Sequence, residues 1–480
     1  MKYDAIIIGA GLGGLTAGAK LAKEGMKVLV VEQHSKPGGC ATTFQRGDFT
    51  FEAGLHEMDG PSPGDMKTRV FSELEVFDNV NFLKVPEFYH FINGRVKITI
   101  PHDPVMAATI LKDAFPGESA GIDTYFSRLL NPKRKGPGEE ALQDTSVGEY
   151  LDSIIGNEDL KLVLLGNLGY FHDDPYSLSL AYYSAAQGSY YRNGASFIKG
   201  GSQALSDHLA GFIRKHGGEV VFNSLVTQIF EENGNLAGVK YERRNSRGSE
   251  PAVAVYGKEI IANAALPAIA ELLPETRGKI LKEEIKSLKP GASLLTVYFG
   301  FNGLLKDIGN QYYSTFVFDS SVRNQADIIK NNHGDFSARS FAFVDYGMTG
   351  SGLTPAGKSV GALCCIDYPE DWENLPKAEY RARKKRVTEI FLGRLETLIP
   401  GITGLTACSE AGTSLTVRRY TLNPGGAVYG FAQHPGKPVP DISAVSGNLH
   451  IASAWGKTGG GFSGAILGGY LTAFNILRKR

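Results

Sequence analysis

AIIIGAGLGGLTAGAKLAKEGMKVLVVEQHSKPGGCATTFQRGDFTFEAGLHEM, residues 5–58, is the stretch whose reading decides the fold. Residues 5–8 are an apolar run of the length of a buried parallel strand. Gly9, Gly11 and Gly14 follow as a GxGxxG turn, and an Ala-rich stretch over 12–24 reads as a helix that Gly25 stops. Residues 28–31 form a second strand, with Glu32 at its carboxyl end. Strand, glycine turn, helix, strand and acid in this order make a βαβ dinucleotide-binding unit.

Each residue has a chemical reason. Gly9 permits the tight turn out of the strand, Gly11 lets backbone approach a pyrophosphate, and Gly14 lets the helix pack close to the sheet. The helix N-terminus offers unpaired N–H groups and the positive end of its dipole to phosphates. Glu32 can accept hydrogen bonds from ribose hydroxyls. The alternative, a glycine-rich turn that binds nothing, is disfavoured because every part of the context is present.

The chain outside this stretch is long and ordinary in composition. Its 480 residues exceed one simple core and suggest two or three structural units. A net charge of zero gives no support to a nucleic-acid partner. The four cysteines, Cys40, Cys364, Cys365 and Cys408, form no CxxC, so neither a zinc site nor a dithiol pair is indicated, and a reducing cytoplasm is expected. Lys20 and Lys23 interrupt the apolar start, and no run of about 20 apolar residues occurs elsewhere, so no transmembrane helix is expected. The basic tail Leu477-Arg478-Lys479-Arg480 leaves peripheral contact with an anionic membrane surface open.

Further along, an Asn93-Gly94 turn between two short runs predicts a hairpin over 88–100. Residues 101–192 read as helices broken by a charged loop at 131–139, an insertion suited to a cap over a ligand cavity. Tyr182, Tyr183, Tyr190 and Tyr191 either line an apolar tunnel or pack in the helical core. Residues 197–205 open a helix that runs to Lys215, and strands follow over 219–222, 225–231, 236–241 and 258–262. Strands over 293–301, 314–318, 340–344 and 358–366 join the hairpin in a mixed, largely antiparallel sheet. Residues 377–398 read as a charged helix, and glycines at 459–461 present backbone N–H groups at the start of a C-terminal helix.

Lys36-Pro37-Gly38-Gly39-Cys40 after Glu32 resembles the flavin amine oxidase superfamily, and PGGCATTF…GDFTFEAGLHEM resembles its phytoene desaturase, carotenoid isomerase and retinol saturase branch. Glu52 stands where that branch more often has Asp. The resemblance implies FAD, held by Gly9, Gly11, Gly14, Glu32, Gln33, Gly38, Gly39, Val226, Trp455, Gly461, Phe462 and Ser463, with Val226 contacting the adenine through its backbone. Ser453-Ala454 replaces the Gly-Asp that many relatives carry before the Trp. The T…RRY…NPGGAVYG segment places Arg419, Tyr420 and Tyr429 on the substrate side.

The fold class that follows is α/β. A Rossmann-type FAD-binding domain (1–85, 196–284 and 443–480) carries a mixed-sheet substrate domain (86–100 and 285–442) and a helical cap (101–195). A single Rossmann fingerprint implies that electrons enter or leave through a small external donor or acceptor, or that the net reaction is redox-neutral. His56 and Glu57 are candidate proton-handling groups, beside the alternative that His56 is a structural histidine. His172, Asp173 and Asp174 lack a partner at ligand spacing, and no metal is expected. The implied activity is oxidation–reduction at carbon–carbon double bonds of a hydrophobic isoprenoid or polyene, by desaturation, saturation or cis/trans isomerisation. A flavin amine oxidase and a non-catalytic flavin-binding protein stay open.

Overall fold

The computed structural model describes residues 2–132, 144–244 and 251–479, so most of the charged loop expected at 131–139 lies outside the described residues. The strand Lys2–Ile8, the helix Leu12–Lys23 and the strand Val28–Val31 form the expected βαβ unit. Both strands are buried over nearly their whole length, which is why they read as continuous apolar runs rather than alternating ones. They lie at the centre of a sheet ordered Glu219–Val221, Val28–Val31, Lys2–Ile8, Val253–Ala262, Asn235–Arg243 and Ser224–Glu232. The second half of Val253–Ala262 also pairs in parallel with Leu449–Ile451, so the C-terminus returns to the first strand's neighbour.

Backbone contacts fix how this unit closes. A Cβ on Gly13 would lie 1.7 Å from the Ala452 carbonyl, and one on Gly469 would lie 2.1 Å from the carbonyl of Gly13. The helix Leu12–Lys23 therefore crosses the C-terminal helix Gly461–Arg478 at backbone distance, and only glycine fits on either side. This places the start of the C-terminal helix beside the glycine turn at the opposite end of the sequence.

The second sheet runs Thr406–Gly412, Ser293–Phe301, Ser359–Asp367, Phe341–Asp345, Ser314–Val317, Tyr89–Ile92 and Lys97–Ile100. Its pairings are antiparallel except where Ser314–Val317 meets Tyr89–Ile92, and the hairpin turns at Asn93-Gly94. Alternation along Ser293–Phe301 divides its side chains. Leu295, Val297, Phe299 and Phe301 pack on Val387, Phe391 and Leu395 of the helix Lys377–Leu398, while Leu294 and Thr296 face a cavity. Helices Ser119–Leu130, Val147–Ile154, Glu158–Leu164 and Leu180–Asn193 share one core with Phe88, Tyr89 and Phe91 of the hairpin.

One local expectation changes. Residues 195–198 are a strand (Ala195–Ile198), and the helix begins only at Gln203. Gly200 and Gly201, with φ of +82° and +88°, break the run between them. Ala195–Ile198 pairs with Met58–Asp59 and Phe82–Lys84, so the chain re-enters from the helices directly beside the end of the opening stretch.

The packing predicts opposite effects for two glycines. Gly13→Ala should destabilise the protein by about 3 kcal/mol, because the new methyl group meets immovable backbone. Gly211→Ala, on an exposed helical position with open space around it, should stabilise by about 0.5 kcal/mol. Thermal melting of the two variants checks this.

Candidate active site

The turn that ends the opening stretch is held from both sides. On one side, the buried Glu52 carboxylate accepts hydrogen bonds from Gly54 N (3.1 Å), Leu55 N (3.0 Å), Ser202 N (2.7 Å) and Ser202 Oγ (2.7 Å). A Cβ on Gly201 would lie 2.9 Å from Glu52 Oε2, so glycine makes room for the longer acid. On the other side, three tyrosines of the second sheet region donate to the turn's carbonyls: Tyr298 to Ala53 (3.0 Å), Tyr346 to Leu55 (3.0 Å) and Tyr313 to His56. Residues 53–56 are thereby fixed between the nucleotide unit and the second sheet.

This fixed turn forms one wall of a cavity of about 430 Å³. His56 and Glu57 line it, with Tyr170, Tyr190 and Tyr429 around them and the backbone of Gly460 to Gly464 beside them. Desolvation pushes the His56 imidazole down to about 4, so the ring is neutral at physiological pH; its Nδ1 lies 3.4 Å from the Tyr170 hydroxyl. Both carboxyl oxygens of Glu57 are buried without a hydrogen-bond partner. Burial, reinforced by the nearby Glu87 and Asp59 carboxylates, raises its pKa well above the ordinary glutamate value. Burial without a partner therefore favours the protonated form of Glu57, on the wall of a cavity whose surface is largely apolar.

A second polar group was not legible in the sequence. The Lys67 ammonium, only 2% exposed, lies 2.7 Å from Asp59 and 2.8 Å from Asp65. Asp59 also accepts from Ser189 and from Ser463, in the first turn of the helix Gly461–Arg478. Burial alone would raise the Asp59 pKa; Lys67 and the two hydroxyls outweigh it, and the carboxylate is held below its ordinary value. Asp59 thus orients the start of the C-terminal helix from beneath. Its members, 59, 65, 67, 189 and 463, are scattered along the chain, and the only local hint was the Asp-rich turn at 59–65.

The predicted cofactor residues gather along one path. Gly9, at φ +97°, turns the chain out of the first strand, and Gly11 pairs with Gly38 in an isolated parallel bridge. A Cβ on Gly14 would lie 2.4 Å from the Gly9 carbonyl, and one on Gly39 would lie 3.3 Å from Gly11. Neither the helix Leu12–Lys23 nor the helix Gly461–Arg478 carries a side-chain cap or an acid in its first turn, so their N–H groups stay available to an anion or a carbonyl. Glu32 accepts from Ala10 N and His34 N, one bond per oxygen, and keeps lone pairs for ribose hydroxyls. The buried Gln33 Oε1 next to it has no partner. Cys40, beside the glycine pair, is solvent-accessible, yet the protein packed around it raises its thiol pKa by desolvation. These features suit a bound dinucleotide.

Other predicted residues fall elsewhere. Val226 lies two positions beyond Ser224, whose N–H donates to the Glu32 carbonyl at 2.8 Å. Trp455 is buried against Phe431 and is not on the cavity wall, whereas Phe462, Ser463 and Tyr429 are. Tyr182 and Tyr190 line the cavity; Tyr183 and Tyr191 turn into the helical core, so both readings of the aromatic cluster hold for different members of one helix. Arg419 and Tyr420 do not reach the cavity. They are exposed near the end of the helix Ser414–Thr421, with the guanidinium over the Tyr420 ring and the Tyr420 carbonyl accepting from Gln33. Among the described residues no group of His, Cys, Asp and Glu is placed to hold a metal, and no helix is long and apolar enough to cross a membrane.

The chain is similar in sequence and in fold to known proteins. Residues 7–74 match the NAD(P)-binding Rossmann-like domain family. All-trans-retinol 13,14-reductase of Danio rerio is 26% identical over 92% of this chain and 79% of its own. A chloroplastic prolycopene isomerase of an Oncidium hybrid cultivar is 26% identical over 88% and 75%. An oxidoreductase structure from Methanosarcina mazei superposes over 100% of both chains with a TM-score of 0.69 at 18% identity. The fold is shared with solved oxidoreductases that include the cyclohexylamine oxidase of Brevibacterium oxydans, at 18% identity with a TM-score of 0.64. In sequence the chain is similar to proteins named as retinol reductases and prolycopene isomerases, at about 25% identity over most of its length.

The electrostatics of Glu57 set a pH-dependent stability. Its folded pKa lies above the unfolded value near 4.5, so the folded state holds a proton that the unfolded state releases, and stability falls as pH rises above about 4.5. Glu57→Gln removes this penalty. Melting temperatures measured from pH 4 to pH 8 (roughly spanning that window) should show the variant gaining on the wild type as pH increases.

Proposed function

We propose that the protein is an FAD-dependent oxidoreductase that saturates a carbon–carbon double bond of a hydrophobic polyene or isoprenoid. Glu57 carries the reading: an unpartnered, neutral carboxylic acid on the wall of a largely apolar cavity that the N-terminus of the C-terminal helix also faces. The name of the Danio rerio relative, a retinol reductase, supports the direction chosen.

FAD supplies hydride exchange at the substrate carbon when bound. Gly9, Gly11, Gly14, Gly38 and Gly39 would take its pyrophosphate, Glu32 and Gln33 its ribose, the segment at Val226 its adenine, and the N–H groups of Gly461, Phe462 and Ser463 the pyrimidine edge of its ring. The protein's own part is proton delivery and exclusion of water. Glu57 donates its proton to the carbon adjoining the one that receives hydride, so one hydrogen is added to each end of the double bond. A low dielectric keeps that proton on Glu57 until the substrate carbon becomes basic enough to take it. Neutral His56, fixed through its own carbonyl and set beside Tyr170, shapes the wall next to it. An external donor restores the two electrons after each turnover.

Anaerobic mixing of the reduced holoenzyme with an all-trans polyene tests the reading. Reoxidation of the flavin together with a product carrying two additional hydrogens is expected, and Glu57→Gln should slow the step by roughly 100-fold while retaining bound flavin. Reduced flavin that persists beside unchanged polyene contradicts the proposal, and a product that differs only in double-bond geometry replaces saturation with isomerisation.

A further inference from the structure

The cavity has a second polar pole, away from Glu57. Strand register sets its direction. Tyr298 and Tyr346, which hold the turn at residues 53–55, mark one end of the second sheet's cavity face. Tyr298 pairs with Ala362, Thr296 with Cys364 and Leu294 with Ile366, and Cys364 pairs on its other side with Ala342. Moving from Ala362 to Ile366 covers four residues, about 13 Å of extended strand. On the neighbouring strand the same move leads from Val344 to Ser340.

At that far end the cavity wall carries His172, Asn332 and Ser340. The His172 side chain is 8% exposed, and its Nε2 is buried with no partner. Its Nδ1 is engaged locally, 2.9 Å from Asp173 Oδ1 and 3.1 Å from Asp174 N. Asp173 is in turn fixed by the Tyr368 hydroxyl at 2.7 Å and by Asn332 Nδ2, which donates to its carbonyl at 2.8 Å. A ring held this firmly, with its second nitrogen left unpaired, in a cavity whose lining also includes Phe318, Ile328 and Phe341, is costly unless a ligand completes it.

We propose that His172 Nε2 anchors an oxygen-bearing end group of the polyene, with Asn332 and Ser340 beside it. The substrate is then an isoprenoid carrying a terminal hydroxyl, in preference to the plain hydrocarbon. A hydroxyl both donates and accepts, so it satisfies Nε2 in either tautomer of the ring. The anchor fixes which double bond lies opposite Glu57, because the end group and the reacting carbons are held at two points of one rigid chain. This inference rests on the polyene reading of the cavity.

Equilibrium binding to the oxidised holoenzyme, which needs no turnover, tests it. The probes are a polyene alcohol and the matched hydrocarbon lacking only the hydroxyl, followed through the polyene absorbance. The wild type should bind the alcohol at least about tenfold more tightly. His172→Leu should abolish that preference while leaving the hydrocarbon's affinity unchanged, and His172→Gln should restore part of it. Equal affinities in the wild type, or a preference that survives His172→Leu, overturn the anchor and leave the polyene reading standing. Failure of both ligands to bind overturns the polyene reading and the anchor with it. The wild-type comparison decides the matter even if a variant does not fold.

Discussion

The Glu52 carboxylate accepts four hydrogen bonds, two from the backbone of the turn at Gly54 and Leu55 and two from Ser202. This links the end of the opening stretch to the loop that begins the helix Gln203–Lys215. Desolvation still raises the Glu52 pKa against all four donors, so the arrangement holds a real electrostatic cost. The second sheet completes the turn's restraint through the hydroxyls of Tyr298, Tyr313 and Tyr346. Everything placed on the cavity wall at residues 54–57 inherits its position from these bonds.

That restraint explains how a carboxylic acid can face an apolar cavity without finding a partner. Glu57 is the next residue along a backbone that cannot rotate to relieve it, and the chain continues into Met58–Asp59, paired with Ala195–Ile198. Two residues further on, Asp59 has the opposite fate. Lys67 and the hydroxyls of Ser189 and Ser463 keep it charged and tie it to the first turn of the C-terminal helix. Neighbouring acids are thus pushed apart in pKa by their surroundings, one towards its protonated form on the cavity wall and one towards its ionised form beneath the helix N-terminus.

The sequence revealed most where the controlling interactions are local. The βαβ unit, the Asn93-Gly94 hairpin and the helix Lys377–Leu398 follow from period, glycine turns and length, and the structure reproduces them to within a few residues. Gly13 and Gly469 show what such a reading misses: each is needed because of a contact with the other end of the chain. The Asp59–Lys67–Ser463 group was invisible for the same reason. Adjacent tyrosines such as Tyr182 and Tyr183 could not be divided between cavity and core until the rotation of their helix was known. His172 gave no ligand signal in the sequence, because its unpaired nitrogen becomes meaningful only once the fold places it on a cavity wall. Arg419 and Tyr420 were drawn to the substrate side by resemblance, yet they lie on the outside near Gln33.

The central claim is that the fixed turn presents Glu57 as a neutral acid. Infrared difference spectroscopy of the wild type against Glu57→Gln at neutral pH measures this directly. A carbonyl stretch of a protonated carboxylic acid, present in the wild type and missing from the variant, is the predicted result. A difference spectrum that shows only the symmetric and antisymmetric bands of an ionised carboxylate would contradict the account.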